Sequence, residues 1–117
     1  MKQNEFTTYI TEDLLASVGG VYLRRMFSGF GLYKEGVMAG LVTGDELYLK
    51  VDASNQAEYE AMGSIPFSYE RKDGKTVALS YWKIPADVLE NTDALVRLFD
   101  ISYAINLKKS NFLGIDK

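Results

Sequence analysis

The stretch from Val21 to Val51 reads VYLRRMFSGFGLYKEGVMAGLVTGDELYLKV and gives the strongest evidence about the fold. Its short runs of β-branched and aromatic residues predict strands over residues 21–27, 29–33, 37–42 and 47–51. Glycine-containing segments at 34–36 and 43–45 separate the last three runs, and glycine supplies the positive φ that tight hairpin turns require. The stretch therefore predicts an antiparallel meander of three strands, with the weakly alternating run 37–42 at its centre.

The sequence on either side of this meander predicts a second hairpin and helices at both ends. Residues 67–71 and 76–84 flank Lys72-Asp73-Gly74-Lys75, whose Asp-Gly pair is a strong hairpin signal. Apolar residues spaced by three and four predict an N-terminal helix ending at the glycine pair 19–20 and a C-terminal helix over 95–107, which Asn91 or Thr92 is expected to cap. The predicted fold is α+β: an antiparallel sheet of about five strands, made of two hairpin units and covered mainly on one face by these helices.

Two shorter helical segments and a domain boundary complete the predicted organisation. A short helix capped by Asp52 or Ser54 is expected to run through Met62, and another turn to run from Pro85 to Leu89. Residues 1–109 are predicted to form one domain and residues 110–117 a C-terminal tail.

Composition excludes several classes of chemistry. The 117 residues suit one domain, and a hydrophobic content of 47% predicts a folded chain. Cysteine and histidine are both absent, which excludes disulfides, thiolate nucleophiles, Cys/His zinc sites and histidine-dependent triads. The N-terminal sequence MKQNE has no apolar segment of the signal-peptide type, and no run approaches 18 apolar residues. A cytoplasmic protein without cofactors is therefore expected.

Arg24 and Arg25 are the one pair of adjacent arginines in the sequence. Neighbouring residues of a strand point to opposite faces, so one arginine is expected in solvent and the other on the covered face, held by a carboxylate or carbonyls. A site for phosphate or for an acidic group of a partner is one interpretation of the doublet. A structural ion pair explains an inward arginine equally well.

The segment Gly29-Phe30-Gly31 follows the arginines and does not match a phosphate-binding loop. It lacks the Gly-Lys-Ser/Thr ending of a P-loop and the third glycine of a dinucleotide fingerprint, and Leu32-Tyr33 continues a strand. A β-bulge or a close approach of two backbones is the favoured interpretation. Asp45, Glu46 and Asp52 lack calcium-loop spacing, so no metal site is predicted from them.

Several blocks of the sequence together resemble the N-terminal domain of the TfoX/Sxy family, bacterial proteins associated with regulation of competence genes. The family signature is an Arg-Arg-Met-Phe-small-Gly-aromatic-Gly stretch followed by a hairpin, and later blocks agree in the same order. The matching blocks are 24–42, 46–52, 66–69, 79–82 and 84–89. The resemblance spans about residues 9–107.

This resemblance implies a compact α/β domain with no established enzymatic activity. It supplies no catalytic residues, and Arg24, Arg25, Gly29, Phe30 and Gly31 are the candidates for a partner or ligand surface. Competence regulators of the family typically carry a second, helical C-terminal domain, and this chain ends at Lys117 without one. A different partner and role are therefore open.

Three functional hypotheses follow from the sequence. The first is a regulatory protein-interaction module without catalysis, whose partner belongs to the transcription machinery or is another regulator. The second is an enzyme or a binder of small anionic ligands that uses Arg24 or Arg25, and the third is a direct nucleic-acid binder. No membrane association is expected, and a homodimer is an open alternative.

The net charge of −3 predicts weak binding to duplex DNA, because phosphate binding requires a basic surface. At about 150 mM salt, affinity should lie in the non-specific range of about 10⁻⁴ to 10⁻⁶ M, without sequence preference. Electrophoretic mobility shifts with two unrelated duplexes measure this. Submicromolar, sequence-dependent binding would contradict the prediction.

Overall fold

Six strands form one sheet in the computed structural model, which describes residues 5–26 and 29–112. They are β1 (Val21–Met26), β2 (Gly29–Lys34), β3 (Val37–Thr43), β4 (Glu46–Lys50), β5 (Pro66–Glu70) and β6 (Thr76–Lys83). Their order across the sheet is β1-β2-β3-β4-β6-β5, and every neighbouring pair is antiparallel. The α+β prediction is confirmed, with one strand more than the five or so expected.

One helix precedes β1, one lies between β4 and β5, and two follow β6. They are α1 (Glu5–Thr8), which continues as a π-helical segment (Tyr9–Leu14), α2 (Gln56–Ala61), α3 (Ala86–Leu89) and α4 (Thr92–Phe112). Within the described residues, none of these helices is long and apolar enough to span a membrane.

The N-terminal helix ends earlier than the glycine pair at which its end was predicted. The backbone N–H of Leu15 donates to the carbonyl of Ile10 at 2.9 Å, which is the wider spacing of a π turn, and helical structure stops at Leu14. Gly19 and Gly20 then adopt φ values of 78° and 75°, which L-residues rarely adopt. The glycines therefore form the link to β1 rather than the helix terminus itself.

Helix α4 begins where the sequence predicts. The side-chain Oδ1 of Asn91 accepts a hydrogen bond from the Ala94 N–H at 3.1 Å, as an N-cap residue does. The helix continues to Phe112, beyond the predicted domain boundary at Lys109, and residues 113–117 lie outside the described residues. The division into 1–109 and 110–117 stays a prediction.

One face of the sheet carries the hydrophobic core, beneath α4 and the N-terminal helix. Leu47 and Leu49 of β4 are 1% and 0% exposed, and α4 packs across β3 and β4. The core consists of Ile10, Leu14, Leu15, Phe30, Leu32, Ala39, Val42, Leu47, Leu49, Val51, Tyr59, Ile84, Leu95, Leu98 and Phe99. The central position predicted for the 37–42 strand is confirmed, because β3 lies between β2 and β4.

Buried hydrogen bonds attach the helices to the end of β4. The carbonyl oxygen of Lys50 accepts from the Ser102 hydroxyl at 2.7 Å and from the Asn55 amide at 3.2 Å. Ser102 is 0% exposed and Asn55 is buried, so both bonds are shielded from water. A second contact fixes α4 further along, where the Asn106 amide donates to the Met38 carbonyl at 2.7 Å.

Tyr59 carries the one buried side-chain polar atom that has no hydrogen-bond partner among the described residues. Its ring packs edge-on against Trp82, with centroids 6.5 Å apart, and burial raises the pKa of its hydroxyl to about 12. Because the folded-state pKa exceeds the value of 10.0 for an exposed tyrosine, the neutral phenol is favoured in the folded state, and ionisation of Tyr59 does not reduce the stability of the fold below pH 10. Stability is lost as the pH rises from 10 toward 12.

We therefore expect Tyr59→Phe to lose little stability at pH 7, or to gain up to about 1 kcal/mol, because it removes an unpaired buried hydroxyl. Between pH 10 and 12 the wild type should lose about 2 kcal/mol more than the variant. Urea melts at pH 7, 10 and 12 measure both effects, with the exposed Tyr69→Phe as the matched control. A parallel decline of wild type and Tyr59→Phe would contradict this assignment.

Candidate interaction surface

Strand β1 is an edge strand of the sheet, and its register with β2 shows which of its side chains lie on each face of the sheet. Leu23 lies opposite Leu32, which is 0% exposed, so these residues are on the helix-covered face. Tyr22 lies opposite Tyr33, and Arg24 lies opposite Gly31. Since successive strand residues alternate, Tyr22, Arg24 and Tyr33 share the face away from the helices.

These three side chains form a layered group, which we call the Tyr–Arg patch (Tyr22, Arg24 and Tyr33). The two tyrosine rings stack with centroids 5.7 Å apart and planes inclined by 18°. The Arg24 guanidinium carbon lies 5.5 Å from the Tyr33 ring centroid, within cation–π distance. Tyr22 is 40% exposed and Arg24 is exposed, so the patch presents an aromatic surface and a cation to solvent.

Gly31 makes room for the patch. A Cβ at this position would lie 2.7 Å from Cε1 of Tyr33 and 2.8 Å from Sδ of Met26. The Tyr33 ring and the Met26 thioether therefore occupy the space that a side chain at position 31 would fill. The second glycine of the 29–31 segment therefore serves the packing of these side chains.

The expectation that one of the two arginines points inward and is held by a partner group is wrong. Both Arg24 and Arg25 are exposed, and neither has a carboxylate within 4.0 Å among residues 5–26 and 29–112. Arg25 does lie on the helix-covered face, opposite Phe30. However, β1 is the edge of the sheet and α4 covers the central strands, so Arg25 reaches solvent beyond the helices.

The segment 29–31 contributes backbone packing rather than exposed side chains. Phe30 is 5% exposed and belongs to the core. A Cβ on Gly29 would overlap the Val42 carbonyl oxygen, so the backbones of β2 and β3 approach closely there, as one of the two interpretations predicted. The irregularity in strand pairing falls further along, between Leu32 and Tyr33. Of the five candidates, only the two arginines present side chains to solvent.

The structure assigns other roles to the acidic residues considered as metal ligands. Glu46 forms an ion pair with Lys83 at 3.1 Å, and the Asp52 carboxylate accepts from the Ser54 N–H at 2.8 Å. In the part of the chain that the structure describes, no three acidic side chains group into a potential metal site.

The sequence profile of the TfoX N-terminal domain matches residues 13–105, a range that contains all six strands and the Tyr–Arg patch. This chain belongs to the TfoX N-terminal domain family. The resemblance inferred from the sequence blocks is thereby confirmed. A curated relative, Protein Sxy of Escherichia coli strain K12, is 26% identical over 103 residues, which cover 88% of this chain and 49% of Sxy. The chain thus spans about half the length of this relative.

Sequence reasoning missed a second polar region of this TfoX N-terminal domain. Lys108 and Lys109 suggest only favourable charges near a helix C-terminus. In the structure they line a recess together with Lys50, which is 8% exposed. Lys50 and the lysine pair are separated by more than 50 residues, so no sequence pattern brings them together.

The two glycines of the 29–31 segment differ in the atoms that an added methyl group would meet. Gly29→Ala should lower the free energy of unfolding by about 1–3 kcal/mol, because a backbone carbonyl cannot move aside without disturbing the β2–β3 pairing. Gly31→Ala should cost less than about 1 kcal/mol, because the ends of Tyr33 and Met26 can rotate away. Urea denaturation of both variants tests this order. Equal losses would show that the close approach at Gly29 is not a packing constraint.

Proposed function

We propose that this chain is a non-catalytic regulatory domain that binds a protein partner through the Tyr–Arg patch, in the control of competence and DNA-uptake genes. The choice of this binding surface rests on one observation. The exposed Arg24 guanidinium lies over the Tyr33 ring and has no carboxylate partner among the described residues. Membership of the TfoX N-terminal domain family supports the link to competence.

The chemistry of the patch favours a protein partner. Tyrosine and arginine are enriched among the residues that dominate protein interfaces, because they supply large contact areas with polar ends. Stacking against Tyr33 restrains the Arg24 side chain before binding, so less conformational freedom is lost when a partner carboxylate or carbonyl docks. A partner with an acidic or carbonyl-rich surface fits this arrangement.

Two further observations argue against the alternatives that use the same arginines. The net charge of −3 disfavours a general phosphate-binding surface, and the patch contributes one cation beside two neutral rings. Catalysis at the doublet would require a nucleophile and a base in mutual contact. Arg24 contacts the Tyr33 ring, and a neutral phenol beside a guanidinium does not form such a pair.

Arg24→Ala should weaken partner binding about thirtyfold, the loss of about 2 kcal/mol that is typical of a central interface arginine. Stability should change by no more than about 0.5 kcal/mol, since Arg24 is exposed. The partner is first captured from the native host with the full chain and identified by mass spectrometry. Its affinity for purified wild type and Arg24→Ala is then measured by calorimetry.

Arg71→Ala is the matched control for this measurement. Arg71 is also an exposed arginine, it forms a surface ion pair with Asp73 at 3.2 Å, and it lies beyond the end of the other edge strand, β5. Removing it lowers the charge by the same amount at a distant site. A partner that binds Arg24→Ala and Arg71→Ala equally well would remove the basis of the proposal.

A further inference from the structure

A recess of about 600 Å³ opens at the end of β4, between α4 and β6. Its wall combines three ammonium groups with hydroxyl, amide and apolar side chains. The lining residues include Lys50, Asp52, Ser80, Ile105, Lys108 and Lys109. None of these residues belongs to the Tyr–Arg patch, so this recess is independent of the surface proposed for the protein partner.

Lys50 is the feature of this recess that a purely structural role does not explain. It is 8% exposed, and its ammonium group donates to the Ser80 hydroxyl at 2.6 Å and lies 5.3 Å from the Tyr81 ring centroid. No carboxylate lies within 4.0 Å of it among residues 5–26 and 29–112. Buried lysines are ordinarily paired with an opposite charge, because an isolated buried charge is costly.

The neighbouring lysines increase this electrostatic cost. Burial and the nearby Lys109 ammonium lower the pKa of Lys50, which means that its charged form is disfavoured where it lies. The Asp52 carboxylate, which lines the same recess, partly offsets this cost, because it interacts with the charges of both Lys50 and Lys108. Three lysines share this one carboxylate, so a bound anion would reduce the repulsion that remains.

The net charge of the residues that line the recess indicates the charge that a ligand must have to balance it. Lys50, Lys108 and Lys109 contribute three positive charges and Asp52 contributes one negative charge, which leaves +2. The Asp52 carboxylate is engaged by the N–H and the hydroxyl of Ser54, so part of its acceptor capacity is already used. A phosphate monoester carries close to −2 at neutral pH and presents three acceptor oxygens.

We propose that this recess binds the phosphate group of a small phosphorylated molecule. Lys50 and Lys109 supply the charge, and the Ser80 hydroxyl, which accepts from Lys50, keeps its own proton free to donate to a phosphate oxygen. Ile105 offers an apolar wall for the remainder of the ligand. A volume of about 600 Å³ lies within the range of small-molecule sites.

The test uses the full chain and titrates it with inorganic phosphate, adenosine 5′-monophosphate and adenosine at constant ionic strength. Calorimetry gives the affinity, and amide chemical shifts locate the binding. We expect saturable binding of phosphate with a Kd of about 1 mM or tighter, binding of the monophosphate, and none of adenosine. Shift changes should concentrate at residues 50–56, 80 and 105–109.

Three variants that each remove one positive charge distinguish binding in the recess from non-specific electrostatic attraction of phosphate to the protein. Lys109→Gln and Lys50→Met should weaken phosphate binding about tenfold, the effect of losing one charged hydrogen bond. Lys72→Gln, in the exposed β5–β6 turn, should leave the affinity within about twofold. Lys109 is exposed, so its variant keeps the test valid if Lys50→Met fails to fold.

Three results would overturn the proposal. The first is the absence of saturable phosphate binding by the wild type, and the second is equal weakening of phosphate binding in Lys72→Gln and Lys109→Gln. The third is tighter binding of the single-stranded oligonucleotide dT8 than of the monophosphate with the same dependence on Lys109, which would identify a nucleic-acid backbone as the occupant. None of these results affects the Tyr–Arg patch, so each proposal is tested independently of the other.

Discussion

The carbonyl oxygen of Lys50 is the point at which the sheet, the segment before α2, and α4 are joined. It accepts buried hydrogen bonds from Ser102 and Asn55, which come from two different elements of the chain. Because buried polar groups are costly when unpaired, the three groups constrain one another's positions. With Ser102 fixed there, Leu98 and Phe99 enter the core on the same helix, and Lys108 and Lys109 reach the recess two turns further on.

Because helices cover only one face of the sheet and leave its β1 edge uncovered, polar side chains are exposed on both faces of that edge. Helix α4 crosses the central strands β3 and β4, so their inward residues form the core, while β1 extends beyond this cover. Arg25 is on the covered face by strand alternation and is nevertheless exposed. The open face of the same edge carries the Tyr–Arg patch, where Gly31 leaves space for the Tyr33 ring.

The two polar regions differ in the free energy of their unbound states. Arg24 is exposed and lies over an aromatic ring, so the lack of a carboxylate partner among the described residues has little cost. Lys50 is buried beside Lys109, and the nearby Asp52 carboxylate only partly offsets the cost of its charge. The affinity of the Tyr–Arg patch therefore depends on the new contacts that a partner makes with it. Binding of an anion in the recess would in addition reduce the repulsion between lysines that exists in the unbound state.

Most elements of the fold can be predicted from local sequence patterns, because turn chemistry and apolar periodicity act over a few residues. The glycine turns, the Asp-Gly hairpin and the Asn91 cap all act within four residues, and the structure has them where they were predicted. The position of β1 at the edge of the sheet, and hence the exposure of both Arg24 and Arg25, depends on tertiary packing. Tertiary packing alone brought Lys50 to Lys109, because burial and the meeting of charges distant in sequence depend on how α4 docks on the sheet.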